Sequence, residues 1–204
     1  MIRVKICGVT TEDQACACAE AGADAIGVNF VASSPRRVDE ATARAIVRAV
    51  PTRTLVVGVV ADRTIEAMRG LREATGLDCL QLHGAESDED VAALLPHAYK
   101  AVRIAGATDV ARADAAPGEY VLVDAKVDGA LGGTGHVLDW GLVVALARRR
   151  KLVLAGGLTA ANVASAIRHV RPWCVDVSSG VESAPGVKDL NKVRAFVAAV
   201  RQAT

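Results

Sequence analysis

Cys174-Val-Asp-Val-Ser-Ser-Gly-Val-Glu-Ser-Ala-Pro-Gly-Val-Lys-Asp189 begins as a strand and breaks into a turn. Val175 and Val177 alternate with Asp176 and Ser178, which makes one face apolar and the other polar. Ser178-Ser-Gly180 then supplies small residues whose backbone amides can be approached closely. One unit earlier, Leu152-Val-Leu-Ala155 runs into Gly156-Gly157-Leu158, and Thr159 is expected to open a helix. A strand that ends in an amide-rich turn is a common seat for phosphate. Two such ends in succession predict one phosphate site made from both.

Upstream, the same alternation of strand and helix repeats. Strands are predicted at Val4–Cys7, Ala25–Phe30, Leu55–Val60, Cys79–His83, Lys100–Ile104 and Tyr120–Asp124. Helices are predicted between them, with Thr11, Asp39, Thr64 and Ser87 at or near their starts. A short helix is expected near 109–115, one from Asp139 to about Arg149, and a last one from about Leu190 to Arg201. Between Ala125 and Val137 lies a long loop with four glycines. Eight strand–helix units in strict alternation predict an α/β fold, a minimal single-domain (β/α)₈ barrel over residues 1–204. An open doubly wound sheet is the alternative, but no Gly-x-Gly-x-x-Gly follows the first strand.

Composition narrows the function. Hydrophobic residues make up 51% of 204, enough for a substantial core, and aromatics only 3%, so that core is built from Val, Leu, Ile and Ala. A net charge of +1 with interspersed signs excludes a polyanion-binding surface, and so few aromatics leave no platform for base stacking. No nucleic-acid or membrane partner is therefore expected. Met-Ile-Arg-Val-Lys leads straight into the first strand without a signal-type apolar region, and five unframed cysteines suit reduced thiols. Both point to the cytoplasm. No metal-ligand spacing and no cofactor motif is found.

In a barrel of this kind the active site lies at the C-terminal strand ends. The polar residues there are Cys7, Arg36, Gln81, His83, Arg103, Asp124 and the two turns. Cys7 is either a buried small hydrophobe or a thiol at the barrel mouth. Asp124 ends an apolar run, where a carboxylate needs a function or a partner. Arg36 is either a solvated loop charge, as Arg37 is expected to be, or an anion clamp. Gln81 and His83 share one strand face and line the pocket. A thiol facing a carboxyl can take a proton from carbon while giving one to oxygen. Such a pair suits isomerisation of a phosphorylated sugar derivative. Lys5, two residues before Cys7, and Asp176, two before Ser178, both point inward on strands that adjoin in a closed barrel. They are predicted to pair below the substrate.

These residues sit in motifs that resemble one family over nearly the whole chain. Lys5-Ile-Cys-Gly-Val-Thr10, Gly22-Ala-Asp24, Ser34-Pro-Arg36, Gln81-Leu-His-Gly84 and Gly132-Gly-Thr-Gly135 occur in order. So do Asp139-Trp140, Ala155-Gly-Gly-Leu158, Asp176-Val-Ser-Ser-Gly-Val-Glu182 and Pro185-Gly-Val-Lys-Asp189. The sequence resembles the phosphoribosylanthranilate isomerases of tryptophan biosynthesis. That resemblance implies an Amadori rearrangement of N-(5-phosphoribosyl)anthranilate, with no cofactor. It implies Cys7 as the base at C2′, Asp124 as the acid at the ring oxygen, and Arg36 on the anthranilate carboxylate. Gly156, Gly157, Ser179 and Gly180 would bind phosphate, Gln81, His83 and Asp176 would complete the substrate pocket, and the glycine-rich loop would close over it. The thiolate of Cys7 is expected to be favoured by the nearby amides. The partner implied is a small phosphorylated substrate, the protein itself a monomer or weak homodimer.

Asn29 and Leu138 depart from the family pattern, at positions where an apolar and an aromatic residue are common. A barrel aldolase would need a lysine aimed into the pocket, and neither Lys5 nor Lys126 is well placed. The lysine-bearing loop of an indole-glycerol phosphate synthase is not recognisable. A barrel that only senses a phosphorylated metabolite has no use for both Cys7 and Asp124.

Overall fold

The computed structural model describes residues 1–125 and 139–203. Eight parallel strands hydrogen-bond in sequence order and close into a barrel. They are β1 (Arg3–Cys7), β2 (Ala25–Asn29), β3 (Leu55–Val60), β4 (Cys79–Leu82), β5 (Ala98–Ile104), β6 (Tyr120–Ala125), β7 (Lys151–Leu154) and β8 (Cys174–Val177). Closure is made by β1 against β8, with Lys5 directly opposite Asp176. The helices α1 (Glu12–Glu20), α2 (Glu40–Ala49), α3 (Ile65–Thr75), α4 (Asp88–Leu94), α5 (Ala107–Ala115), α6 (Val144–Ala147), α7 (Val163–Val170) and α8 (Leu190–Gln202) follow the strands.

Local chemistry explains most of these boundaries. Thr11, Asp39 and Thr64 each accept a hydrogen bond from a first-turn amide of α1, α2 and α3. Ser87 and Asp90 form a reciprocal capping box at α4. Most strand residues are apolar because the outer face meets the helices and the inner face meets its own barrel, with Lys5, Gln81 and Asp176 as buried polar exceptions. Val57, Tyr99, Ala101, Leu122, Val153, Ala155 and Cys174 form a separate buried cluster in that interior. These side chains fill the barrel interior. No helix among the described residues is long and apolar enough to cross a membrane.

Three elements differ from the sequence-based expectation. Thr159 does not open α7; its amide donates to Asn162 Oδ1 at 2.8 Å, and that side chain makes a turn before the helix starts at Val163. The helix expected from Asp139 is a 3₁₀ turn, Trp140–Val143, followed by the short α6. Residues after Val181, to which the sequence assigned no element, form a hairpin, β9 (Glu182–Ala184) with β10 (Val187–Lys188). The glycine-rich loop expected to close over the substrate lies outside the described residues, as do Lys126, His136 and Leu138.

Candidate active site

Cys7 ends β1 and stands opposite Gly27 of β2. A Cβ on Gly27 would lie 2.7 Å from Cys7 Sγ, so a bare backbone makes room for the thiol. Burial raises the Cys7 pKa, while the ammonium groups of Lys5 and Lys188 act in the opposite direction. The thiolate expected from sequence is therefore not favoured; desolvation outweighs the nearby cations.

Below Cys7 runs a buried polar chain. Lys5 Nζ lies 2.7 Å from Asp176 Oδ2, as predicted from their positions on adjoining strands. Burial alone would push the Lys5 pKa down, but Asp176 more than compensates and raises it, so the ammonium stays charged. Lys5 also donates to Gln81 Oε1 at 2.8 Å, and the Tyr99 hydroxyl donates to the same oxygen at 2.9 Å. Gln81 Nε2 is 2.8 Å from His83 Nδ1, and His83 Nε2 is 4.0 Å from Asp124 Oδ2. Burial lowers the His83 pKa to about 4, with Lys5, Arg103 and Lys100 adding to the shift, so the ring is neutral. Asp124 itself is buried on β6, opposite Arg103 of β5.

Arg36 enters from the loop after β2. Its Nε and Nη2 donate to Glu182 Oε1 and Oε2 at 2.8 and 2.7 Å, a bidentate pair. Lys188 Nζ donates to Glu182 Oε1 at 2.7 Å. The β9–β10 hairpin exists to hold this group: Glu182 comes from one strand and Lys188 from the other. Thr10 Oγ1 donates to the Gly186 carbonyl at 2.8 Å and ties the hairpin tip to the end of β1. Burial disfavours the Glu182 carboxylate, yet hydrogen bonds from Arg36 and Lys188 outweigh it and lower its pKa.

The two amide-rich turns meet. Gly156 and Gly157 have φ of 93° and 65°, a left-handed path that side chains resist. Gly180 is packed so closely on the other turn that a Cβ there would overlap the Leu158 carbonyl oxygen. Asn162 Nδ2 donates to the Gly157 carbonyl at 2.9 Å and fixes the first turn. Among the described residues, none of the Gly156, Gly157, Ser179 and Gly180 amides donates to a backbone acceptor outside its own turn. One cavity is lined by both turns and by Cys7, Arg36, Gln81, His83, Asp124 and Asp176.

A profile of the family described as N-(5'phosphoribosyl)anthranilate (PRA) isomerase matches residues 4–199. The N-(5'-phosphoribosyl)anthranilate isomerase of Pseudomonas paraeruginosa is 48% identical over 202 residues, covering 98% of this chain and 95% of the relative. The chain belongs to the phosphoribosylanthranilate isomerase family. Among solved structures, the phosphoribosyl anthranilate isomerase of Thermotoga maritima superposes with a TM-score of 0.91 at 36% identity, over 99% of this chain and all of the other. A phosphoribosyl anthranilate isomerase in complex with reduced 1-(o-carboxyphenylamino)-1-deoxyribulose 5-phosphate gives 0.89 at 35% identity, with the same coverage.

The ten residues expected to act on or bind substrate all line this cavity of the isomerase barrel, whereas Arg103, also expected at a strand end, does not line it. Their positions follow from strand parity and from the two turns. Glu182 was not read as a site residue from sequence. Its sequence signals are its place at the end of the Asp176–Glu182 motif and a carboxylate directly after the apolar Val181, six residues before Lys188. Asn29 ends β2 and also lines the cavity, where its Oδ1 accepts from the Val31 amide at 2.8 Å. That bond is what an apolar residue at this position would lack. No lysine lines the cavity among the described residues. Nor do three His, Cys, Asp or Glu side chains group there as metal ligands would.

Proposed function

We propose that the chain catalyses the Amadori rearrangement of N-(5-phosphoribosyl)anthranilate to 1-(2-carboxyphenylamino)-1-deoxyribulose 5-phosphate, a step of tryptophan biosynthesis, by general acid–base catalysis. The observation that carries it is the convergence of a thiol, a carboxyl, an arginine and two amide-rich turns on one cavity. The phosphate sits against the amides of Gly156, Gly157, Ser179 and Gly180. Glu182 occupies one edge of the Arg36 guanidinium, so the opposite edge, through Nη1, grips the anthranilate carboxylate. Substrate held at both ends spans the barrel mouth with its ribose between Cys7 and Asp124.

Asp124 gives its proton to the ring oxygen, the C1′–O bond breaks, and the nitrogen lone pair forms the C1′=N bond of a protonated imine. Cys7, as thiolate, takes the C2′ proton, and that electron pair forms the C1′=C2′ bond of an aminoenol as the imine electrons return to nitrogen. Ketonisation removes a proton from O2′ and adds one to C1′, which in net restores both groups. Each transfer needs a positioned group of ordinary strength. The buried thiol ionises against its raised pKa, so Lys5 and Lys188 are the groups that make the thiolate accessible.

A barrel aldolase is disfavoured by the state of Lys5, whose ammonium is fixed to Asp176. The test is fluorescence decay of freshly made phosphoribosylanthranilate. Protein that accelerates the decay and yields the deoxyribulose product supports the reading; decay at the uncatalysed rate refutes it.

A further inference from the structure

The polar chain beneath the cavity has a direction, and that direction fixes a proton. Lys5 Nζ has only hydrogens to offer and lies 2.8 Å from Gln81 Oε1. The Tyr99 hydroxyl donates to the same atom. Only a carbonyl oxygen satisfies both; the amide turned over would set its hydrogens against an ammonium. Gln81 therefore has one orientation, with Nε2 toward His83 Nδ1 at 2.8 Å. An amide nitrogen donates, so Nδ1 accepts. A neutral imidazole that accepts at Nδ1 carries its hydrogen on Nε2. That Nε2 is buried, has no hydrogen-bond partner among the described residues, and lies 4.0 Å from Asp124 Oδ2.

We propose that Lys5, Tyr99 and Gln81 lock His83 as its Nε2–H tautomer, and that His83 is a positioning residue whose fixed donor receives the Asp124 carboxylate once that acid has given up its proton. The proposal rests on the role given to Asp124 above. A ring that cannot accept at Nε2 cannot take the Asp124 proton, so the substrate oxygen remains its destination. The opposite tautomer would turn a lone pair on the carboxylate and work against its formation. The 4.0 Å gap is beyond hydrogen-bonding range and has to close as charge develops, as gaps between catalytic groups in unliganded sites commonly do.

The lock is tested on the resting protein by two-bond ¹H–¹⁵N correlation spectroscopy at neutral pH. A protonated-type nitrogen shift at Nε2 and a lone-pair-type shift at Nδ1 are expected; the reverse pattern overturns the lock. Gln81→Glu keeps the shape but sets a carboxylate oxygen against Nδ1, so a protonated-type shift should appear at Nδ1. In that variant kcat should fall at least about tenfold while KM moves less than about threefold, since the lost contact belongs to the reacting state. Retention of wild-type kcat with a protonated-type shift at Nδ1 and a lone-pair-type shift at Nε2 overturns the positioning role. His83→Gln, which restores an N–H donor near the Nε2 position, should keep at least about threefold more kcat than His83→Leu; equal values overturn the role as well. If the wild-type protein has no turnover, the role of His83 falls with that of Asp124, and the spectrum still decides the lock.

Discussion

Glu182→Gln is the substitution with the largest expected reach. The wild-type carboxylate is shared by two cations in a place almost closed to water: the side chains of Lys188, Glu182 and Arg36 are 0%, 4% and 12% exposed. Glutamine keeps the shape, removes the negative charge, and, with its oxygen kept for Lys188 and Arg36 Nε, sets its NH₂ against Arg36 Nη2. Breaking a buried pair by removing one partner costs about 3–5 kcal/mol, because the other charge is left uncompensated. For a chain of this size that is a fall in Tm of about 6–20 °C. Lys188 gives the loss a pH signature. Burial already lowers its pKa despite Glu182, and without the carboxylate it falls further. Between that depressed value and the ordinary lysine value of about 10.4 the unfolded chain binds more protons than the folded one, so stability rises with pH. The deficit should therefore be largest near neutrality and narrow toward pH 9. Arg36 loses its anchor as well, so KM should rise at least about tenfold, with kcat changing less. Thermal unfolding at both pH values, with steady-state kinetics beside it, measures all of this. A variant within about 1 kcal/mol of the parent at neutral pH, or a deficit that grows with pH, would refute the reasoning.

Lys5→Met should cost about 3–5 kcal/mol in urea unfolding, since it strands the Asp176 carboxylate in the barrel; an unchanged midpoint argues against a buried pair. Arg36→Lys cannot serve Glu182 and a substrate carboxylate from two edges at once and should raise KM at least about tenfold. Arg37→Ala, at an exposed position, should leave both kinetic constants in place, and equal effects of the two substitutions would remove Arg36 from the carboxylate site. Cys7→Ser and Asp124→Asn should each lower kcat by about 10²–10⁴-fold while affinity for the reduced product analogue stays within about tenfold. A Cys7→Ser enzyme that keeps more than about a tenth of the activity does not use Cys7 as its base.

What could be read in advance was what depends on near neighbours in the chain. Strand β3 was legible at both ends because Leu55–Val60 is an unbroken apolar run, and α1 to α4 because each has a side-chain cap at its start. The Lys5–Asp176 pair was legible although 171 residues separate its members, because parity and barrel closure together determine which side chains meet. The start of α7 was not, because Asn162 competes for the amide of Thr159 and a threonine alone does not reveal that. The hairpin was hidden for a different reason. Glu182-Ser-Ala184 has little preference for a strand, and it takes that form around a charge pair with Arg36, 146 residues away. The direction of the Cys7 pKa was missed because the amount of protein packed over a thiol is a property of the folded state alone.

The pairing of β1 with β8 has a consequence for how activity arises during folding. Cys7 lies on the first strand, and the second phosphate turn follows the last one. No contiguous fragment short of nearly the whole chain contains both. Loop closure over such a span carries a high entropic cost, and it is the closure that creates the site. A chain with seven strands in register has most of its core but neither the Asp176 carboxylate for Lys5 nor a complete seat for phosphate. Competence therefore depends on the closure of the ring, because the site is complete only when β8 lies against β1.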